Sequence, residues 1–179
     1  MIGQQNRRRS SQKTLELVIF AMLGTIMFVS KIIMEFLPNI HLLGMLTMVY
    51  TLVFRKKALI PIYIYVMLNG LFAGFSMWWL PYLYIWTILW AITMLLPRRM
   101  PKGVQLVVYP LVCALHGIAF GALYAPAQAI MLHMSLEQML AWIAAGLIWD
   151  AIHGIGNFFV GMLIVPLVDL LRKLLKIQA

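Results

Sequence analysis

Asp150, His153 and Asn157 follow one another at spacings of three and four, which sets a carboxylate, an imidazole and a carboxamide on one helix face. Lys31 and Glu35 stand four apart in another apolar run and can pair across a turn. His116 and Asn69 lie in two further apolar runs, and Asn39 and His41 in a short stretch after the first. Trp78, Trp79, Tyr82 and Trp86 add aromatic faces. Such groups can bind a small molecule, relay protons or ligate a metal, because ionisable side chains in apolar helices are costly and face a bundle interior or a wet cavity. Each also has a plainer role. Lys31 and Glu35 can neutralise each other, Asp150 can hydrogen-bond His153, and Asn69 can bond a neighbouring helix. Trp78 and Trp79 suit an interfacial belt, while Tyr82 and Trp86 can face lipid.

Catalytic readings find less support. His116, His133, Asp150, His153 and Glu35 could supply metal ligands, but they lie on four separate segments without HExxH-type spacing. No Gly-rich phosphate loop and no GxSxG elbow occurs. The expectation is a protein that is not an enzyme and implies no cofactor, so any coupling to ATP must come from a partner. Cys113 is the single cysteine, which excludes a disulfide framework or thiolate cluster.

The elements that must position these groups follow from composition. Of 179 residues, 64% are hydrophobic and 11% charged, against about a quarter charged in a soluble domain. Lipid is the solvent such a chain needs, and one compact membrane domain is expected. Ala58 to Pro97 holds forty residues without Asp, Glu, Lys or Arg, enough for two crossings at roughly 20 residues each. Thirteen of the fourteen cations sit beside expected membrane ends, at 7–13, 55–57, 98–102 and 172–176; Lys31 stands apart. That is the positive-inside pattern rather than a stripe for nucleic acid. The first apolar run is too long for a signal-peptide core and is expected to be retained.

Six transmembrane helices in one bundle are therefore expected, with N- and C-termini cytoplasmic. Residues 1–14 form a basic tail, 15–171 the transmembrane domain and 172–179 a basic end. The helices run Leu15–Phe36, His41–Phe54, Ala58–Phe75, Leu80–Leu96, Val104–Tyr124 with a bend near Pro110, and Gln138–Leu170 with a kink before Pro166. A turn at Leu37-Pro38-Asn39 follows the first helix, and a short interfacial helix is expected over Ala127–Met134. This topology brings nearly all the polar groups into the outer half of the bundle. A wet pocket open to the outside, walled by Trp78, Tyr82 and Trp86, is the expected site. Gly146, Gly154, Gly156 and Gly161 let neighbouring helices approach the sixth closely.

Three local matches carry a resemblance to a known family. Glu16 to Thr25 resembles the small-xxx-small motif near the inner end of the first helix in the substrate-binding S components of energy-coupling factor transporters, with Ala21 and Thr25 at the small positions and Gly24 between them. Leu115 to Gly121 resembles the stretch that places a ligand-contacting histidine, here His116, in thiamine-type S components. His153 to Asn157 resembles the segment where those proteins carry an asparagine and small residues at the pocket. Thr25 replaces the usual second alanine, and His153 is a departure that argues against thiamine itself.

The resemblance implies a substrate-binding subunit of an importer in the bacterial cell membrane. Its partners are a transmembrane coupling protein, docked on Ala21, Gly24 and Thr25, and two cytoplasmic ATPase subunits. It also implies that the loaded subunit topples to deliver a vitamin or precursor inward. The Leu37–His41 loop and the Trp-rich fourth helix resemble corrinoid-type members, which puts cobalamin first; thiamine-, pantothenate- and pyridoxine-type substrates stay open. The expected substrate contacts are Lys31, Glu35, Asn39, His41, Asn69, Trp78, Trp79, Tyr82, Trp86, His116, Asp150, His153 and Asn157. An autonomous or proton-coupled carrier built on Lys31, Glu35 and Asp150, and a membrane-embedded enzyme built on His116, Asp150 and His153, are the alternatives.

Overall fold

The computed structural model describes residues 2–175, and their side chains from Gln12 on; every regular element among them is helical. The first, α1 (Ile2–Ile33), runs straight through the basic segment expected as a separate tail. Gln, Arg and Lys are good helix formers, and no proline interrupts them. Lys176 and the rest of the basic end beyond 175 lie outside the described residues.

After α1 the chain turns through 34–42, with Asn39 at φ +57°, a left-handed conformation that asparagine tolerates. α2 (Leu43–Phe54) has every residue from Leu43 to Leu52 buried. At about 18 Å it falls short of the ~30 Å hydrocarbon core, and its apolar character on all sides reflects a central position. A single 3₁₀ turn, Arg55–Ala58, leads to α3 (Leu59–Ala73), which accepts Pro61 near its start and ends at Gly74, φ +88°. The aromatic connection Met77–Trp79 is another 3₁₀ turn before α4 (Tyr82–Leu95).

The fifth and sixth expected helices are each divided. The fifth becomes α5 (Lys102–Ile118) and α6 (Phe120–Met131), with the break at Ala119. Pro110, where a bend is expected, lies inside α5, and the expected 127–134 helix coincides with the end of α6 only as far as Met131. The sixth becomes α7 (Leu136–Gly161) and α8 (Ile164–Leu174). Ser135 and Gln138 form a capping box that starts α7 two residues before the expected Gln138. Pro166 falls in the first turn of α8, where its missing N–H costs little.

Four stretches are long and apolar enough to cross a membrane: Gln12–Ile33, Met77–Leu95, Lys102–Met131 and Leu136–Gly161. The core gathers Phe20 and Met27 of α1, most of α2, Ile62, Tyr65 and Val66 of α3, and Trp86 and Leu89 of α4. Tyr109 and Cys113 of α5 and Ile164, Val165 and Val168 of α8 complete it. α7 is different. Its buried residues are Asp150, His153, Gly154, Asn157 and Gly161, with no large apolar side chain among them.

Cationic side chains meet at one end. Lys57 bonds Glu16 across 2.5 Å, and Lys102 bonds Asp169 across 3.1 Å. Arg55 donates to the Met94 carbonyl, Trp90 to the Arg55 carbonyl, and Arg172 to the Leu52 carbonyl. The starts of α3 and α5 and the ends of α2, α4 and α8 therefore share this end.

α5 and α7 touch through glycine. A Cβ on Gly117 would stand 3.0 Å from the Gly154 Cα and 2.8 Å from Asn157 Nδ2. Gly117→Val is expected to lower the unfolding temperature of the detergent-solubilised protein, since overpacking costs about 1–3 kcal/mol. Gly146→Ala, with nothing within 4 Å of its added methyl, should leave it unchanged. Equal unfolding temperatures for the two variants would contradict this crossing.

Candidate functional site

The polar face of α7 meets side chains from four other elements at the end of the bundle away from the arginines. His153 lies 4.7 Å from the ring of His41 and 5.0 Å from that of Phe120, between ring centroids. Trp86 stands at the centre, 6.0 Å from His41, 5.8 Å from His116, 6.0 Å from Phe120 and 6.1 Å from Tyr65. Tyr82, one turn before Trp86 on α4, contacts both Trp86 and Phe120. The chain supplies this cluster from α3, α4, α5, α6 and α7, and from the 34–42 turn through His41.

The cluster is short of hydrogen-bond partners. His41 Nδ1, Tyr65 Oη, both amide atoms of Asn69, Trp86 Nε1, His116 Nδ1, His153 Nε2 and Asn157 Oδ1 are buried with no partner. A buried polar atom left this way costs about 1–3 kcal/mol, and native proteins keep few of them. His116 Nε2 lies 3.2 Å from the Ile85 carbonyl. A carbonyl only accepts, so the proton sits on Nε2 and Nδ1 is left as a buried acceptor. Asn157 donates Nδ2 to the Cys113 carbonyl at 3.3 Å, while its own oxygen stays buried and unpaired. Tyr65 and Asn69, four apart, present their polar atoms from one face of α3.

Of the expected contacts, His41, Tyr82, Trp86, His116 and His153 come together through their rings. Asn69 and Asn157 are buried beside them on the same helices, at 0% and 1% exposure. The rest are placed elsewhere. Asp150 does not bond His153; its Oδ1 accepts the Gly121 amide at 3.1 Å, where the α5–α6 break frees that N–H for a side chain. It lines a separate cavity of about 280 Å³ with Phe120, Tyr124, Trp142 and Trp149. Lys31 and Glu35 approach only to 3.9 Å, and the Glu35 side chain is 67% exposed. Asn39 is exposed and reaches the Trp149 carbonyl at 3.4 Å. Trp79 donates to the Val66 carbonyl and packs on Phe75, so it clamps the turn after α3. Trp78 touches Tyr82, while its carbonyl accepts from Tyr124.

Phe120 and Tyr65 are cluster residues absent from the expected set. Phe120 belongs to the series His116, Phe120, Tyr124 at spacings of four, the signal that could have found it. Tyr65 was legible in the same way, one turn before Asn69. Of the expected docking residues, Ala21 and Thr25 are exposed on α1, with the Thr25 hydroxyl folded back onto the Ala21 carbonyl at 2.8 Å. Gly24 is not available there. It is buried against α3, where a Cβ would come within 2.6 Å of Ile64.

No acid takes part in the ring contacts, and no three His, Cys, Asp or Glu among the described residues group as metal ligands. The arrangement suits stacking and hydrogen bonding by uncharged groups. Comparisons of the chain with family models, with curated proteins and with solved structures give no match. Fold and site thus define an all-helical protein, with four helices fit to cross a membrane, around a buried imidazole–indole cluster.

Burial lowers the His41 imidazole to about 4 from its ordinary 6.5, with His116 and Lys31 adding to the effect. Below pH 6.5 the unfolded chain takes up a proton that the folded chain refuses, so this residue destabilises the fold as pH falls from 6.5 towards 4. The unfolding temperature of His41→Gln should accordingly fall less over that window than that of the unaltered protein. Parallel curves would mean that His41 does not sit in this apolar setting.

Proposed function

We propose that the chain is the substrate-binding S component of an energy-coupling factor importer in a bacterial cell membrane. In this reading six segments span the bilayer, α2 and α3 within a locally enclosed bundle, and both termini are cytoplasmic. The observation that carries the proposal is the set of buried, partnerless polar atoms among aromatic rings, at the end opposite the arginines. Positive residues favour the cytoplasmic side, which orients the cluster towards the exterior, where a captured substrate enters. The exposed small residues Ala21 and Thr25, with the threonine hydroxyl already bonded, suit a transmembrane coupling protein that carries two ATPase subunits.

The rings touch one another at 4.7–6.4 Å between centroids, so a ligand enters only by parting them. A corrinoid needs the cluster dispersed entirely. The closeness of the rings, with His153 among them, favours a small single-ring substrate of pyridoxine type above cobalamin. The 34–42 turn, which brings His41 onto the cluster, forms the lid. Closing the lid favours the loaded state only as far as the ligand binds that state better.

Titration of purified protein with candidate vitamins, followed by Trp fluorescence, should reveal a ligand that quenches Trp86. Trp86→Phe should weaken it about tenfold, the loss expected for roughly 1.4 kcal/mol. An unchanged affinity removes the cluster from the binding site.

Ala21→Trp or Thr25→Trp should abolish ATP-driven uptake with substrate affinity unchanged. Uptake by vesicles containing this chain alone would instead identify an autonomous carrier.

A further inference from the structure

The cationic end encloses a cavity of about 390 Å³. Four arginines line it from three parts of the chain: Arg55 between α2 and α3, Arg98 and Arg99 between α4 and α5, and Arg172 on α8. Gln105 and Tyr109 of α5 join them, over apolar walls of Leu52, Val53, Pro97 and Val168. No Asp or Glu lines it. The acids near this end are engaged with lysines, Glu16 with Lys57 and Asp169 with Lys102.

Two of the arginines are held in place. Arg55 Nη2 donates to the Met94 carbonyl at 2.9 Å and Arg172 Nη2 to the Leu52 carbonyl at 3.2 Å, so each guanidinium keeps further N–H groups for another acceptor. Arg55 Nε is buried without a partner. Burial, and then the charge of Arg98, both lower the Arg55 pKa, the mark of a cation crowded by its neighbours. A purely solvated basic face accounts for the exposed Arg98 and Arg99. It does not account for a buried, partnerless guanidinium nitrogen in a walled cavity.

We propose that this cavity binds a phosphate oxyanion, held by Arg55, Arg98, Arg99 and Arg172. Planar guanidinium groups match phosphate oxygens with paired hydrogen bonds, and an anion relieves the repulsion among four like charges. Two sources share that chemistry: the headgroup of an anionic phospholipid, whose acyl chains continue along the apolar wall, and a free phosphate ester. The site is independent of the buried aromatic cluster.

The test uses full-length protein in neutral detergent and reads its unfolding temperature. Phosphatidylglycerol in the micelles, compared with phosphatidylcholine, should raise it by about 2–4 °C. Arg98→Gln/Arg99→Gln should abolish most of that rise. Lys56→Gln/Lys173→Gln, which removes the same charge from positions outside the cavity, should retain it. Inorganic phosphate at matched ionic strength separates the sources: a rise with phosphate identifies a free phosphate ester, and a rise with the lipid alone identifies a headgroup. No rise with either anion, or equal loss in the two double variants, overturns the proposal and leaves only diffuse attraction.

Discussion

The fold depends on how closely α5 and α7 approach each other. In lipid, helices gain little by burying apolar surface against one another, so close backbone contact and interhelical hydrogen bonds carry much of the association. Gly117 and Gly154 supply that contact, and Gly161 repeats it against Pro110. With glycines at the crossing, α7 needs no leucine or phenylalanine on its buried face. It can present Asp150, His153 and Asn157 instead. Asp150 and Asn157 then return the packing as hydrogen bonds, one to the Gly121 amide and one to the Cys113 carbonyl. His153 alone of the three is directed at the rings of His41 and Phe120.

The two ends of the bundle are chemically opposed. One holds imidazole, indole, phenol and carboxamide groups with unmet hydrogen-bonding capacity and no charge among the contacting rings. The other gathers arginines and lysines, with acids supplied for the lysines only. Between them α2 is buried from Leu43 to Leu52. It fills the centre while longer helices meet the surroundings through exposed residues such as Leu17, Met22, Leu147 and Phe159. A short central helix keeps both ends close enough to be built from the same elements: His41 precedes α2 and Arg55 follows it.

Much of this was legible in the residues themselves. The 3–4 spacing of Asp150, His153 and Asn157 locates the buried face of α7, and the Trp/Tyr series locates Trp86. Charge-free runs bounded by basic turns give the helices and the common basic end. What escaped was decided by local partners that spacing does not reveal. Pro110 draws the eye in the fifth helix, yet it lies inside α5, and the break between α5 and α6 falls at Ala119, next to the Gly121 amide that Asp150 takes. The same hydrogen bond withdraws Asp150 from His153. Trp79 differs from Trp78 only by one position, but the Val66 carbonyl within its reach makes it a clamp. Gly24 reads as part of a flat outer surface until Ile64 is placed against it.

The aromatic cluster is poorly satisfied, and that has an energetic consequence. Each buried atom without a partner raises the free energy of the closed state by about 1–3 kcal/mol, and the rings recover part of it by edge-to-face contact. His116 Nδ1, His153 Nε2 and the Asn69 amide are the atoms whose pairing would remove that cost. His41 differs from the other cluster residues in reaching it from a turn rather than from a packed helix. The turn continues directly into α2, whose far end carries Arg55 and the basic cavity. One short buried helix thus joins the aromatic cluster to the basic end, beside the glycine crossing of α5 and α7.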